Sequence, residues 1–438
     1  MNFKNKKAYA VTLGCRLNQA DTALLFSRLN DAGFEIIKNP KTDTPDLIII
    51  NTCTVTGNAA SKSRQAARQL KRKYPLSCIL VTGCDCNKAA EQWKQEECVD
   101  IIMPNNGKKN IIQHLEQWFK QREDLSNEEK INKLTIPANT PKPDVFKENI
   151  FAAYPFRQRA FLKIQEGCNA FCTYCIVPYV RGPERSRDYY EVINDAKNLI
   201  KQNYKEIIIT GVNISTYRDK NRGINELLKD ISDIPGDFRI RLSSMEPHQE
   251  NFALVDTIKD YNKICPFLHV PLQSGSNDIL NKMGRKYKTQ DFFDFIEYAR
   301  TSIPGVHLGT DIISGFPGET DELFEETCSF LKKANFANIH SFRFSPREGT
   351  PAASFENQIP HRIIKNRAAI IQKIADESKI LFIKSQIGQN LTMLIEKIED
   401  NGSFRGWTEN YIKVIIQHEN LEIGTFHNFT LIESYLSK

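Results

Sequence analysis

The chain has 438 residues, which is too long for one hydrophobic core, and its apolar content of 40% is typical of a globular protein with two or three domains. There is no run of 18 apolar residues and no signal-peptide core, so we expect a cytoplasmic protein without a transmembrane helix. The formal net charge of +6 permits a polyanionic partner without requiring one. The chain has 11 cysteines, and in a reducing compartment these favour metal binding or catalysis over a disulfide framework.

The first part of the chain, residues 1–125, alternates between strand-like and helix-like segments. Short apolar runs predict strands and longer periodic segments predict helices, with strands at residues 9–13, 47–50, 78–82 and 101–103 and helices at residues 20–32 and 58–74. This alternation predicts an α/β domain built on a parallel sheet. Residues 126–150 are polar and rich in proline, which predicts a linker.

The remainder of the chain predicts two further domains. Residues 151–372 contain six strand-like runs with helices between them, at residues 161–164, 206–210, 238–243, 267–270, 306–314 and 338–344. This pattern predicts an open (β/α)6 barrel, whose active site lies at the carboxyl ends of its strands. Residues 373–438 predict a small antiparallel β domain, with strands at residues 391–399, 404–407, 411–416 and 426–432.

Three cysteines lie close together directly after the first predicted barrel strand. Cys168, Cys172 and Cys175 have the spacing C-x3-C-x2-C on one short loop. Three thiolates hold three corners of a cubane iron–sulfur cluster, and the fourth iron is then open to the amino and carboxylate groups of S-adenosylmethionine (SAM). The alternative is a structural zinc site, which normally takes four ligands, and no histidine or further cysteine lies nearby in the sequence.

Three other cysteines each follow a predicted strand of the first domain. Because Cys15, Cys53 and Cys84 come at equivalent strand ends, we expect the three thiols to converge on one edge of the sheet. Such a group can hold a second cubane with one free iron. Cys86 is the alternative or additional ligand. The other cysteines are interpreted as core residues: Cys78, Cys98, Cys265 and Cys328.

Both cysteine groups and several segments resemble the radical SAM methylthiotransferase family over essentially the whole chain. The segments that carry this resemblance are residues 12–19 (TLGCRLNQ), 161–168 (FLKIQEGC), 241–247 (RLSSMEP) and 345–351 (SPREGTP). They are most similar to the branch that modifies threonylcarbamoyladenosine beside the anticodon of tRNA. The sequence departs from the family at residues 85–87 (DCN), where the usual pattern resembles Tyr-Ala-Gln.

The resemblance implies a fold, cofactors and a reaction. It implies an auxiliary 4Fe–4S cluster on Cys15, Cys53 and Cys84, and a radical SAM 4Fe–4S cluster on the C-x3-C-x2-C loop. It also implies a C-terminal β domain of the TRAM type. One SAM gives a methyl group to a sulfur at the auxiliary cluster, and another yields the 5′-deoxyadenosyl radical that activates C2–H of the purine. The residues expected to contact SAM are Tyr174, Gly211, Ser243, Glu246, Gln273 and Asp311.

The partners expected from this reading are a tRNA substrate and a reducing, flavodoxin- or ferredoxin-like electron donor, with a monomeric protein and no membrane. Two groups of arginines are candidates for phosphate binding: Arg64, Arg68 and Arg72 on one helix face, and Arg181, Arg185 and Arg187 after the cysteine loop. The tail, residues 373–438, has seven Lys/Arg against nine Asp/Glu, so RNA would bind there through a local patch or through exposed aromatics such as Phe404 and Trp407. The alternative is that this domain binds a basic protein.

Three alternative functions stay open on the sequence alone. The chain could act on isopentenyladenosine of tRNA, or on an aspartate of a ribosomal protein, which the net acidic tail favours. In a different class, it is a non-catalytic tRNA-binding protein with structural zinc.

Overall fold

The computed structural model describes residues 3–55, 57–123, 133–137, 152–153, 157–247, 251–418 and 420–436. The chain divides into two compact units, the first formed by Met1–Ala170 and Cys175–Asp188, and the second by Phe171–Tyr174 and Tyr189–Lys438. The predicted domain boundaries at residues 125, 150 and 372 stay predictions. Most of the predicted linker lies outside the described residues.

The first unit is built from short strands and helices that alternate along the chain. In order they are β1 (Lys7–Thr12), α1 (Arg16–Asp31), β2 (Glu35–Ile36), β3 (Leu47–Thr52), α2 (Gly57–Lys73), β4 (Cys78–Gly83), α3 (Cys84–Lys88), α4 (Ala90–Gln95), β5 (Ile101–Ile102), α5 (Ile111–Glu123), β6 (Leu134–Thr135), β7 (Ala152–Ala153), β8 (Arg159–Lys163), β9 (Gln165–Glu166), α6 (Val177–Arg181) and β10 (Arg185–Ser186).

Six of these strands form a parallel sheet in the order β2-β1-β3-β4-β5-β6. The predicted parallel sheet is therefore confirmed. Every residue of β3 and β4 is buried, because both strands are continuous apolar runs in the middle of the sheet. The register pairs Thr12 with Asn51 and Thr52 with Gly83, so these strands end at the same edge.

One part of the predicted linker belongs to this sheet. Leu134 pairs with Ile101 in parallel register, which makes residues 134–135 its last strand. Sequence reasoning missed this strand because a two-residue segment has no period of its own.

The second unit continues the alternation and ends in antiparallel strands. Its elements are α7 (Tyr189–Lys201), β11 (Glu206–Thr210), β12 (Arg218–Asp219), β13 (Arg222–Gly223), α8 (Ile224–Ser232), β14 (Arg239–Leu242), α9 (Asn251–Asp260), β15 (Phe267–His269), α10 (Asn277–Lys282), α11 (Thr289–Ser302), β16 (His307–Ser314), α12 (Asp321–Ala334), β17 (Asn338–Arg343), α13 (His361–Gln386), β18 (Asn390–Ile398), β19 (Phe404–Thr408), β20 (Lys413–Ile416) and β21 (Phe426–Thr430).

Five strands of the second unit run parallel to their neighbours in the order β11-β14-β15-β16-β17. Regular ladders join β11 to β14 and β15 to β16 and β17, and parallel bridges link Ile240 to Ile264 and Ser244 to His269. These are five of the six strands predicted for the barrel. The carboxyl ends of all five lie at one rim, which is where a (β/α) fold places its site.

The C-terminal strands form the predicted antiparallel sheet, in the order β20-β19-β18-β21. One expectation for this region is wrong, because Phe404 is 7% exposed and packs in the core of the small sheet, where it cannot stack with a base. Trp407 is half-buried and stacks on Tyr411, with ring centroids 4.5 Å apart.

Candidate active site

Three cysteines meet at the carboxyl edge of the sheet in the first unit. Cys15 is the N-cap residue of α1, Cys53 directly follows β3, and Cys84 begins α3 directly after β4. Burial is the main cause that raises the pKa of the Cys53 thiol, and negative charge on the nearby Cys84 and Cys15 raises it further. The structure thus brings together the three dispersed cysteines that the sequence singles out.

Two glycines make this approach possible. Gly14 has φ of +100°, and a Cβ added to it would lie 2.8 Å from Sγ of Cys53. Gly83 has φ of +101°, and its Cβ would lie 2.4 Å from the carbonyl oxygen of Thr52. Both positions require a left-handed backbone and the space of a missing side chain, so a larger residue would displace the chain segments that carry the thiols.

A buried arginine donates a hydrogen bond to one of these thiols. Arg181, at the end of α6, is 4% exposed and donates a hydrogen bond from Nε to Sγ of Cys84 over 3.2 Å. Its two Nη atoms bind Oε1 of Glu166 at 2.7 Å and Oδ2 of Asp21 at 3.2 Å. The same guanidinium also donates to Oδ1 of Asn18 at 2.5 Å.

Two lysines complete this group of buried charges. Asp21 accepts from Lys108 at 2.8 Å and from Lys163 at 2.9 Å, and Lys163 also contacts Glu166. The three cations and two carboxylates carry one excess positive charge, which a thiolate at Cys84 would balance when a metal binds there. A buried charge needs such a partner. The group therefore fits an anionic cysteine ligand at this edge of the sheet.

The ionisation of the group follows from burial and charge. Burial alone would raise the pKa of Glu166, but the charges of Arg181 and Lys163 outweigh it and lower that pKa to about 2. Burial raises the pKa of the Cys53 thiol to about 12 and also raises the pKa of Cys84, against the opposing effect of Arg181. Such thiols form thiolates only when a metal binds them, and metal binding then releases their protons.

Cys86 lies two residues after Cys84 in α3. Its side chain is 1% exposed and packs in the hydrophobic core beside Trp93 and Val81. The alternative that Cys86 replaces or supplements Cys84 as a ligand is therefore not supported by its surroundings.

The tight cysteine loop begins on a turn that only glycine fits. Gly167 has φ of +73°, and an added Cβ would lie 2.0 Å from the carbonyl oxygen of Pro183. The next residue, Cys168, accepts a hydrogen bond at Sγ from the backbone N–H of Ala170 over 3.4 Å. After Cys175 the chain enters α6, whose Val180 packs on Cys84. Within the first unit, the helix that follows the loop thus contacts the site of the dispersed cysteines.

The middle cysteine of the loop has its own buried arginine in the second unit. Arg285 is 8% exposed and donates from Nη1 to Sγ of Cys172 over 3.3 Å and to Oε1 of Glu246 over 2.7 Å. Burial alone would lower the pKa of Arg285, but neighbouring Tyr174, Tyr287 and Glu246 raise it well above its usual value, so the guanidinium stays charged. Sequence reasoning singled out Glu246 but missed Arg285.

The other residues expected to contact SAM lie on the second unit's strand ends. Tyr174 packs edge-on against Phe316, with ring centroids 6.5 Å apart, and Gly211 directly follows β11. Ser243 follows β14, and within the described part of the chain its buried hydroxyl meets no hydrogen-bond partner. Gln273 has φ of +74° and donates its backbone N–H to the carbonyl oxygen of Asp311. An orphaned buried hydroxyl and an arginine beside a cysteine fit a polar ligand at this rim.

The carboxylate of Asp311 has different surroundings from the other expected SAM contacts. Its Oδ1 lies 3.2 Å from Nε2 of His269, and His340 completes a group of three. This group was not predicted, since its members are 42 and 29 residues apart in the sequence.

The candidate phosphate-binding arginines are mostly neutralised or buried. Arg68 binds Glu96 through two nitrogens, at 2.5 and 2.8 Å, and Arg64 lies 3.5 Å from Asp85. Arg181 and Arg187 are buried, so the expectation that these two contact phosphates is wrong. Arg72 is exposed and remains available on this helix.

Two family profiles match this chain. Residues 162–331 match the profile of the Radical SAM superfamily, and residues 7–104 match that of "Uncharacterized protein family UPF0004". The chain is 34% identical to the threonylcarbamoyladenosine tRNA methylthiotransferase MtaB of Bacillus subtilis, over 94% of this chain and 91% of that protein. It is 32% identical to the tRNA-2-methylthio-N(6)-dimethylallyladenosine synthase of Thermodesulfovibrio yellowstonii, over 99% of this chain and 97% of that one.

The chain belongs to the radical SAM methylthiotransferase family. A solved structure of the radical SAM methyltransferase TsrM from Kitasatospora setae shares the fold, with a TM-score of 0.56 at 14% identity over 80% of this chain and 75% of that one. The protein is thus an α/β enzyme of this family, and its cofactors are two 4Fe–4S clusters and SAM. Among the described residues, no helix is both long and apolar enough to cross a membrane.

Proposed function

We propose that this protein is the tRNA methylthiotransferase that converts threonylcarbamoyladenosine beside the anticodon into its 2-methylthio derivative. The observation that carries the proposal is the meeting of Cys15, Cys53 and Cys84 at one sheet edge, together with a separate three-cysteine loop. The choice of nucleoside is supported by relatives from Bacillus subtilis, Chlamydia pneumoniae and Aquifex aeolicus, which are 34–35% identical and carry this activity in their names.

The proposed ligands divide into two sets of three thiolates. Cys15, Cys53 and Cys84 hold the auxiliary cluster, and the loop cysteines Cys168, Cys172 and Cys175 hold the cluster that binds SAM. Of the six expected contacts to SAM, we propose Tyr174, Gly211, Ser243, Glu246 and Gln273. The sixth, Asp311, lies beside His269 and is assigned a different role below. When bound, the clusters and SAM supply an activated methyl group, a sulfur atom and the radical that attacks an unactivated C–H bond.

The protein's own residues bind and orient these groups. Arg181 holds a positive charge beside Cys84, and Asp21 and Glu166 fix its guanidinium by ionic hydrogen bonds. Arg285 does the same for Cys172, with Glu246 as its carboxylate. Both arginines are almost fully buried, so water is excluded from one side of each ligand sulfur.

The proposed partners are a tRNA and a low-potential electron donor of the flavodoxin or ferredoxin type, for a monomer that acts in the cytoplasm. Exposed Arg72 supports a phosphate contact on α2, while the carboxylate partners of Arg64 and Arg68 reduce the charge available there.

Nucleoside mass spectrometry tests the proposed activity. The chain is expressed in a bacterial strain whose own threonylcarbamoyladenosine methylthiotransferase gene has been deleted, and its tRNA is hydrolysed and analysed. We expect 2-methylthio-threonylcarbamoyladenosine to return with the wild-type chain and with C86A, but not with C84A. Unmodified threonylcarbamoyladenosine in all three strains would contradict the proposal.

A second candidate substrate is isopentenyladenosine. The full-length similarity to the Thermodesulfovibrio yellowstonii synthase favours it, since almost all of both chains align. The same experiment in a strain lacking the enzyme for that nucleoside separates the two substrates.

A further inference from the structure

We propose that one face of β15, β16 and β17 binds the purine of the RNA substrate. The base stacks on Phe342 and His340 and meets the hydrogen-bonding groups of His269 and Asp311. This inference rests on the proposed function, because the base is the adenosine that the function assigns. The new element is the place in the protein where that base binds.

The four side chains project from the same side of three adjacent strands. Ser341 donates its hydroxyl to the carbonyl oxygen of Ala368 in α13, so the side of β17 that carries Ser341 faces that helix. Successive side chains of a strand point to opposite faces, so His340 and Phe342 project away from α13. The register places Asp311 directly beside His340.

The polar atoms of this face converge. Nε2 of His269 lies 3.2 Å from Oδ1 of Asp311, and the rings of His269 and His340 have centroids 5.6 Å apart. His269 leans over Gly309, its register partner, where an added Cβ would lie 2.9 Å from Nδ1. Glycine at this position therefore gives the imidazole the space to reach the carboxylate.

An exposed aromatic ring lies next to this group of polar side chains, beside His340. Phe342 is 39% exposed, and its ring centroid lies 6.5 Å from that of His340. A phenyl ring beside imidazoles on a half-open polar face provides the two things that an extruded base needs, a stacking surface and hydrogen-bonding groups. Isolated exposed apolar residues are common, but this one stands at the end of a convergent group.

The face leads towards the cysteine loop within the second unit. Ile313 pairs in register with Phe342 and follows Asp311 on the same side of β16. Ile313 and Tyr174 pack on the same apolar group around Phe316. A base held by His340 and Phe342 would therefore lie along the strand face that ends at the residue next to Cys175.

The geometry favours a base over a metal ion. The ligand atoms of His269, Asp311 and His340 lie within 4.8 Å of one another. Nε2 of His340 also lies 3.0 Å from the amide nitrogen of Asn338, which can donate to it and occupy its lone pair. A purine that stacks on the ring of His340 does not need that lone pair.

The test uses the anaerobic holoenzyme, SAM and an anticodon stem-loop RNA that contains threonylcarbamoyladenosine with deuterium at C2. We expect F342A and H340A to raise KM for this RNA about 5- to 150-fold, which is the range for loss of one base–aromatic stack. Transfer of deuterium into 5′-deoxyadenosine should fall in the same variants, and F342W should restore both. S341A is the matched control, because it lies between the two residues but faces α13, and it should behave as the wild type.

Two further measurements separate the outcomes. Iron content and the EPR change on adding SAM report on the cofactor sites, and a purine-site defect leaves both signals in place. The proposal is overturned if F342A and H340A match S341A. It is also overturned if metal analysis finds one ion beyond the cluster iron that is lost in H269A. If the wild type accepts only a different N6-substituted adenosine, the proposed function fails, and the same variants are then compared on that RNA.

Discussion

Nε of Arg181 donates a hydrogen bond to Sγ of Cys84 across 3.2 Å, and 97 residues separate the two in the sequence. The carboxylates of Asp21 and Glu166 bind the two Nη atoms of this arginine, so they fix the position of its guanidinium. Hydrogen bonds and net charge at the ligand sulfurs are the main protein contributions to the reduction potential of an iron–sulfur cluster. With Cys84 as the proposed ligand, we infer that Arg181 is a positioning residue for the auxiliary cluster.

Replacing Arg181 by methionine should change both stability and potential. Breaking a buried ion pair by removing one partner typically costs about 3–5 kcal/mol, because the remaining charges stay buried. R181K keeps the charge but cannot bind Cys84 and both carboxylates together, so its stability should fall between those of R181M and the wild type. Chemical denaturation of the apoprotein measures this difference.

The potential is measured by EPR redox titration in a background without the loop cysteines, so that only the auxiliary cluster contributes. We expect R181M to lower its midpoint potential, since a positive charge and an N–H···S bond have been removed. R72M is the control, because Arg72 is exposed and should change stability by less than about 0.5 kcal/mol. An unchanged potential in R181M would remove the proposed role.

Cys84 and Cys86 offer a matched pair for assigning ligands. Anaerobically reconstituted wild-type protein should contain about eight irons per chain, and C84A about four. C86A should keep about eight, with a loss of about 1 kcal/mol in the free energy of unfolding, because its thiol fills the core near Trp93. Iron analysis and denaturation together check this. A half-loaded C86A with a fully loaded C84A would reverse the assignment.

Gly14 should be essential for assembly of the auxiliary cluster although it is not a ligand. In G14A the new methyl group would lie 2.7 Å from Cβ of Cys53, which is fixed at the end of a buried strand. We expect iron content to fall to about four per chain. Gly402 provides the control, since it also has positive φ, at +80°, but has nothing within 4 Å of an added Cβ. G402A should lose only the roughly 1–2 kcal/mol of left-handed strain and keep its iron.

The sequence predicted the strands well because their signal is local. The buried runs of β3 and β4 and the strand β11 read directly as apolar segments between turn residues. The short helices α3 and α4 were missed, since five or six residues carry too little periodicity. The register of the last sheet could not be read from the sequence, which is why Phe404 was expected on the surface, although it packs with Ile416, its register partner, in the core of that sheet.

The cysteines were predicted because strand ends in a parallel sheet share an edge, whereas their charged neighbours were not. Lys163 and Asp21 are 142 residues apart, and no local pattern joins them. Lys163, which ends β8 directly after three apolar residues, was a signal in the sequence for a buried ion pair, because lysine is almost never buried without a partner. The sequence could indicate that a partner was needed but not which residue supplied it.

Glu206 should hold the C-terminal sheet onto the parallel strands of the second unit. Its carboxylate is fully buried and binds Arg239 at 2.7 Å and Arg241 at 2.9 Å. These two arginines in turn donate to backbone carbonyl oxygens of the small sheet, at Thr392, Trp407, Thr408 and Glu409. One carboxylate thus binds two buried arginines, which hold the sheet through its backbone and through the rings of Phe426 and Tyr411.

E206Q removes that charge while keeping the shape of the side chain, and it should destabilise the protein by about 3–5 kcal/mol. The loss should be local, with faster hydrogen exchange in β18–β21 and new cleavage by protease near residues 387–389, which connect α13 to β18. Iron content should stay at about eight, because no proposed ligand contacts Glu206. R239M removes one of the two arginines that bind the sheet, and it should give a smaller increase in hydrogen exchange in the same peptides. E356Q, on the exposed surface, should give no increase. Uniformly faster exchange over the whole second unit in E206Q would show that the carboxylate supports the parallel strands themselves rather than the attachment of the C-terminal sheet.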